Sequence, residues 1–136
     1  MITVIKHGII LGKRVNEFEC DGVLNPAVIM HVGIIHMFYR AVSTGNRSTI
    51  GYCILNHPTE VGFRMDEPIL IPELAYEKVG MEDPRIVKIE DSFMLTYTAY
   101  DGINALGALV VSTDLKLFHK KGIIVPKLSY PRFSEL

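Results

Sequence analysis

The chain repeats itself, and the repeat limits what it can fold into. Asn25-Pro26 matches Asp83-Pro84 at an offset of 58, and Phe38-Tyr39-Arg40-Ala41 matches Thr96-Tyr97-Thr98-Ala99 at the same offset. Ile50-Gly51-Tyr52 matches Leu106-Gly107-Ala108 at 56, and Glu67-Pro68-Ile69-Leu70-Ile71-Pro72 matches Lys121-Gly122-Ile123-Ile124-Val125-Pro126 at 54. Four matches in one order mean two copies of one supersecondary unit, with the drift taken up by loops of unequal length. A unit of roughly 50 residues holding four strands is the sequence signature of a propeller blade. Two similar β-meanders in a sandwich or small barrel are the competing arrangement.

Within each copy the hydrophobic period is two, and Gly, Asn, Asp and Pro interrupt it about every ten residues, the mark of an all-β chain. The predicted strands are Ile2–Leu11, Ala27–Val32, Ile34–Ala41, Ser48–Leu55, Val61–Met65, Arg85–Ile89, Phe93–Ala99, Ala105–Ser112 and Leu117–Lys121. Turn residues separate them at His31-Val32-Gly33, Ser43-Thr44-Gly45-Asn46, Ile89-Glu90-Asp91-Ser92 and Tyr100-Asp101-Gly102. Pro72–Lys78 suits either one helical turn or a loop.

Propellers close with about four to eight blades, and 136 residues hold only two. The sequence therefore reads as one partial β-propeller domain: an N-terminal strand region over residues 1–23, a first blade over 24–76 and a second over 77–136. The strand Ile2–Leu11 is expected to belong to a closing blade. Two blades leave apolar flanks uncovered. The chain is thus expected either to rebuild a ring as a homo-oligomer or to lack C-terminal blades.

Composition narrows the function. With 14 Lys+Arg against 15 Asp+Glu the net charge is −1, which argues against nucleic acid as a partner, since that needs a clustered basic surface. No run approaches the roughly 18 apolar residues of a membrane span. Met1–Val15 is interrupted by Lys6, His7, Lys13 and Arg14 and is too weakly patterned for a secretory signal. Two cysteines, Cys20 and Cys53, make no disulfide framework, so a cytoplasmic location is expected.

Gly80-Met81-Glu82-Asp83-Pro84-Arg85 opens the second copy and carries the chemistry. In a propeller, the segment entering each innermost strand lines the central channel. An acid before a proline is held extended. A carboxyl group partly withdrawn from water in such a channel is suited to donate a proton, and Arg85 is placed to bind an anion or pair with a carboxylate. The plainer alternative is that Asp83 caps a turn and Arg85 bridges to Glu82 on the surface.

Asn25-Pro26-Ala27, Phe38-Tyr39-Arg40, Ser48-Thr49-Ile50-Gly51-Tyr52, Gly80-Met81-Glu82-Asp83-Pro84-Arg85-Ile86 and Leu95-Thr96-Tyr97-Thr98-Ala99-Tyr100-Asp101-Gly102 recur in the order and spacing of a known family. The set resembles glycoside hydrolase family 130, the β-mannoside phosphorylases and related β-mannosidases, from about Leu24 to Pro126. The resemblance implies a five-bladed propeller in chains about twice this length or more. It implies inverting cleavage of a β-mannosidic bond, with Asp83 as proton donor acting through the 3-hydroxyl of the mannosyl residue. Phosphate, or water in the hydrolytic members, would attack the anomeric carbon from the opposite face of an oxocarbenium-like transition state. The expected partner is a small β-mannoside oligosaccharide. The substrate-binding candidates are Asn25, Tyr100 and Asp101 near sugar, with Arg40 and Arg85 near phosphate or orienting Asp83. Asp101-Gly102 is also a turn signal. No metal or organic cofactor is implied; inorganic phosphate is the possible co-substrate.

One departure bears on the nucleophile. The phosphorylases usually carry an arginine where this chain has Thr49, and Arg47 stands two positions earlier. Further phosphate and sugar ligands lie in the family's later blades. The alternative function is a truncated, non-catalytic propeller remnant or a self-assembling sugar-binding module. His7, His31, His36, His57 and His119 show no metal-ligand spacing. The two cysteines read as small buried apolar groups rather than nucleophiles.

Overall fold

The computed structural model describes residues 1–125. Eight strands follow one another: β1 Gly22–His31, β2 Ile34–Ser43, β3 Arg47–His57, β4 Glu60–Arg64, β5 Gly80–Ile89, β6 Ser92–Tyr100, β7 Ala105–Ser112 and β8 His119–Val125. Strands β1–β4 form one antiparallel meander and β5–β8 a second. A single parallel pair, Ser48 with Gly80, joins β3 to β5 and makes one open sheet of them. The chain is all-β as expected, and eight of the nine predicted strands are present. The candidate helical turn at Pro72–Lys78 holds one short 3-10 helix, Ala75–Glu77.

The ninth is a correction. Residues 2–11 form no strand. A strand needs a ladder partner for its N–H and C=O groups, and this segment pairs with none among the described residues. Gly8 also turns it at φ 90°. Only its end is moored: Leu11 packs against the core, and the Gly12 carbonyl accepts a hydrogen bond from Arg64 Nη1 at 2.9 Å.

The hairpin between β1 and β2 shows why turn residues were legible. Its two loop residues, Val32 and Gly33, both have positive φ (48° and 74°), as a tight two-residue turn between twisted strands requires. The two copies correspond strand for strand in order and pairing, but the register refines the sequence matches. Arg40 pairs with Ile50, and its counterpart Thr98 pairs with Gly107. Ile50 is therefore equivalent to Gly107, one residue from the match read in the sequence. The loop between β6 and β7 is one residue shorter between equivalent pairs, and one residue changes which face every later side chain occupies. The fourth match shifts likewise: Ile50 bridges to Leu70, and Gly107 pairs with Val125. Pro126 of that match lies outside the described residues.

Two layers of core result. Between the meanders, Phe38, Ile50 and Tyr52 pack against Met81, Phe93, Leu95, Tyr97, Ala99, Ala108 and Val110. On the far face of the first meander, Met37, Tyr39, Ala41, Cys53 and Leu55 form a second cluster, roofed by Leu11 and Phe18. Strand β2 is thus buried on both faces, while β6 alternates strictly between buried and half-buried positions.

A buried carboxylate ties each meander together, and the sequence reading missed both. Glu19 and Glu77 are fully buried. Each lies 20 residues before the tyrosine that donates to it: Tyr39 to Glu19 at 2.9 Å and Tyr97 to Glu77 at 2.6 Å. Each also meets a cation from the fourth strand of its meander, Arg64 Nη2 at 2.6 Å from Glu19 and Lys120 Nζ against Glu77. Burial pushes the Glu77 carboxyl up, but Lys120, the Tyr97 hydroxyl and the Glu73 amide outweigh it, leaving it below its ordinary 4.5. Tyr97 is raised in return, first by burial and then by Glu77. A carboxyl lowered on folding stabilises the fold above its unfolded value, and that contribution is lost as pH falls through the folded value. Thermal midpoints followed from neutrality down to about pH 3 are therefore expected to fall more steeply for the parent than for Glu77→Gln. Parallel curves would exclude Glu77 as a source of acid sensitivity.

Candidate active site

The site is built by two equivalent backbone irregularities. The β1–β2 ladder slips between Leu24 and Ala27, and the β5–β6 ladder slips between Glu82 and Arg85. Each bulge contains an Asx-Pro step. Proline supplies no N–H to the ladder, so the pairing must skip there. The residue before it does not take the extended conformation expected ahead of a proline; it stands at positive φ, 48° for Asn25 and 50° for Asp83, a conformation that Asn and Asp tolerate better than most residues. Bulges of this kind re-aim side chains. Here they bring together residues 58 positions apart, with Asn25 Nδ2 donating to Asp83 Oδ1 at 2.7 Å.

Arg40 enters from β2. Its side chain shares a face with Phe38, toward the second meander, and its guanidinium divides among three partners. Nε donates to Ser48 Oγ at 2.9 Å, Nη2 to Glu82 Oε1 at 2.8 Å, and Nη1 approaches Asp83 Oδ1 at 3.5 Å. Ser48 is fully buried. It sits beside Gly80, where a Cβ would lie only 3.0 Å from the Ser48 Cβ; glycine permits that approach of β3 to β5. Arg40 and Glu82 are 14% and 15% exposed at their side chains, and Asp83 is 38% exposed. Asp83 is accordingly the member of this trio best placed to meet a ligand.

Of the six residues singled out in the sequence, Asn25, Arg40 and Asp83 converge. Arg85 is exposed, and its Nη1 donates to the neighbouring Pro84 carbonyl at 2.7 Å. The cation that pairs with Glu82 is Arg40. Tyr100 and Asp101 stand at the end of β6 and serve their own loop. Tyr100 donates to the Gly102 carbonyl at 3.0 Å, and Asp101 accepts from the Ile103 and Asn104 amides at 2.8 and 2.7 Å. The Asn104 amide and side chain, with the Ile103 amide, pull the Asp101 carboxyl down to about 2. Its oxygens are committed to that turn, as the Asp-Gly signal suggested.

Glu82 and Ser48 join the cluster without having been anticipated. In the first copy Leu24 occupies the place of Glu82, so the repeat gave no pointer to it. A separate polar groove of about 590 Å³, lined by Glu17, Phe18, Asp66 and Glu67 among others, contains none of the Asp83 cluster.

Residues 12–135 match the family model described as beta-1,4-mannooligosaccharide phosphorylase, of glycoside hydrolase family 130. Among curated proteins, the chain is 33% identical over 127 residues to a 1,2-beta-oligomannan phosphorylase of Thermoanaerobacter sp. (strain X514), covering 86% of this chain and 43% of that protein. Among solved structures, it superposes with a TM-score of 0.76 and 27% identity on a glycoside hydrolase from Bacteroides ovatus ATCC 8483, covering 84% of this chain and 38% of that one. It also superposes, at TM-score 0.66 and 29% identity over 85% of this chain and 37% of the other, on a structure of glycoside hydrolase family 130, mannoside phosphorylases that include glycoside hydrolases targeting β-1,2 mannosidic linkages in Candida mannan. The chain thus spans about two fifths of these relatives' length. With the family match running over residues 12–135, the chain belongs to glycoside hydrolase family 130 and forms part of its five-bladed β-propeller.

Proposed function

We propose that this chain supplies the acid-bearing blades of an enzyme that cleaves β-mannosides with inversion, and that Asp83 is the proton donor. The observation that carries this is the pairing of the two bulges: Asn25 fixes one oxygen of Asp83 at 2.7 Å while the side chain stays open to a ligand. In the reaction, the Asp83 proton passes to the glycosidic oxygen through the mannosyl 3-hydroxyl as the C–O bond breaks. An oxygen of phosphate or water bonds to the anomeric carbon from the other face, turning the β-linkage into an α-product.

Phosphate is the first choice of nucleophile, because the curated relatives at 33% and 34% identity are phosphorylases. Phosphate is already anionic and needs cationic positioning rather than a base. Arg40 is the cation nearest the acid, and Arg85 is free to contribute from the surface. Water is the second reading, favoured by Thr49, whose buried Oγ1 makes no hydrogen bond among the described residues and supplies no charge. The reaction calls for no metal or organic cofactor, and the cysteine usage suits the cytoplasm. The flanks left open by two blades are proposed to be closed by further blades or by copies of the chain.

The test is incubation with β-1,2- and β-1,4-mannobiose, with and without phosphate, read by NMR. α-Mannose 1-phosphate formed only with phosphate is the expected result. Free α-mannose independent of phosphate selects hydrolysis. Absence of turnover in every oligomeric state would support a non-catalytic sugar-binding module instead.

A further inference from the structure

The division of the Arg40 guanidinium among three partners has a chemical purpose that the acid itself does not explain. Arginine presents a planar fork suited to grip one carboxylate with two parallel hydrogen bonds. Such a grip on Asp83 would hold it as an anion and spoil it as a donor. Arg40 instead spends Nε on Ser48 at 2.9 Å and Nη2 on Glu82 at 2.8 Å, and only the 3.5 Å approach of Nη1 is left for Asp83. We propose that Glu82 and Ser48 are positioning residues that clamp Arg40 and hold its fork off Asp83, so that the Asp83 carboxyl remains able to carry a proton.

Both clamp residues are anchored for this task. Ser48 is fully buried and fixed by the β3–β5 pair with Gly80, whose missing side chain leaves room for it. Glu82 is the last residue of β5 paired before the bulge, so its backbone is still held by β6 while Asp83 is turned out. The charge count also favours the arrangement: Glu82 balances Arg40 within a part-buried pair, and Asp83 is not needed as its counter-ion. The clamp serves the second bulge alone, because the first has Leu24 in place of Glu82 and Asn25 in place of Asp83. An asparagine has no proton to give and needs no such protection.

This inference rests on Asp83 as the proton donor, but it is tested without substrate. The carboxyl carbon of Asp83 is followed by 13C NMR against pH in the parent chain and in Ser48→Ala, Glu82→Gln, Arg40→Gln and the Glu82→Gln/Arg40→Gln double variant. Ser48→Ala changes no charge, so a movement of the Asp83 midpoint to lower pH there reports the freed guanidinium swinging onto Asp83. Glu82→Gln is expected to move it the same way. That displacement should shrink by about half or more once Arg40 is already Gln, because coupling through a shared partner disappears with the partner. An unmoved or raised midpoint in Ser48→Ala overturns the clamp. So does an equal displacement by Glu82→Gln in both backgrounds, which would mean that Glu82 acts only through its own field. If Glu82→Gln does not fold, Ser48→Ala decides alone. Loss of the mannoside activity would leave these titrations standing, whereas full activity with an unmoved Asp83 would remove the clamp and keep the enzyme.

Discussion

Asp83→Asn is expected to lower β-mannoside turnover by a factor of about 10²–10⁴, the contribution typical of a positioned general acid. The substitution keeps the shape of the side chain and removes the proton it can release. It should also leave the fold intact. Asparagine already occupies the equivalent bulge at Asn25, with φ 48° against 50° for Asp83, so no new backbone strain arises. The retained carbonyl oxygen can still accept from Asn25 Nδ2. The urea midpoint should therefore stay within the equivalent of about 0.5 kcal/mol of the parent, as for a substitution that breaks no packing. Turnover and stability measured on the same preparation separate the two effects. A fully active variant would take Asp83 out of the reaction, and an inactive but badly destabilised one would show that the bulge depends on the acid's charge.

The largest stability effect is expected at Glu19. Its carboxylate is fully buried and receives Tyr39, Arg64 Nη2 and Arg14 Nε at 2.9, 2.6 and 2.5 Å. Glu19→Ala leaves two guanidinium groups and a buried hydroxyl without their shared acceptor. Breaking a buried pair in this way costs about 3–5 kcal/mol. The lower end applies here, since Arg14 is 29% exposed at its side chain and regains water readily. Arg64 is 11% exposed and bears most of the loss. Chemical denaturation of Glu19→Ala should show this as a large fall in midpoint. The double variant Glu19→Leu/Arg64→Leu should recover part of it, because removing both charges is less costly than stranding one. A fall equivalent to less than about 0.5 kcal/mol would make Glu19 an ordinary surface position in energetic terms, against its burial.

The two copies of this clip show how far the sequence could be read. The tyrosines were visible as part of the repeat, since Phe38-Tyr39-Arg40-Ala41 and Thr96-Tyr97-Thr98-Ala99 share an offset of 58. The glutamates recur at the same offset, each 20 residues ahead of its tyrosine. They lie in short 3-10 turns outside the strand pattern, where hydrophobic alternation gives no reason to look. A search for polar residues repeating with the strands would have found them. Nothing comparable pointed to Ser48, whose role arises from a single parallel bridge between the copies.

Residues 2–11 illustrate the opposite error. Their apolar pattern predicted a strand, but a pattern reports only a preference, and a strand exists when a neighbour accepts its hydrogen bonds. The slip in the matched offsets has the same origin. Similar residue types aligned one position away from the true equivalents, and only the ladder between β2 and β3, compared with that between β6 and β7, shows which face each residue occupies.

What the sequence determined by itself was local and periodic: two copies of one meander, their turns, and the Asx-Pro steps that break each innermost ladder. These follow from backbone chemistry within a few residues, namely alternation, positive φ at turn positions and the missing proline N–H. What the tertiary structure decided was the reach of side chains across the junction between copies. That Asn25 and Arg40 meet Asp83, and that Glu82 and Ser48 occupy Arg40, depends on how closely β3 and β5 approach. That distance is set by packing between residues far apart in the chain, here at a glycine whose missing side chain lets Ser48 come near.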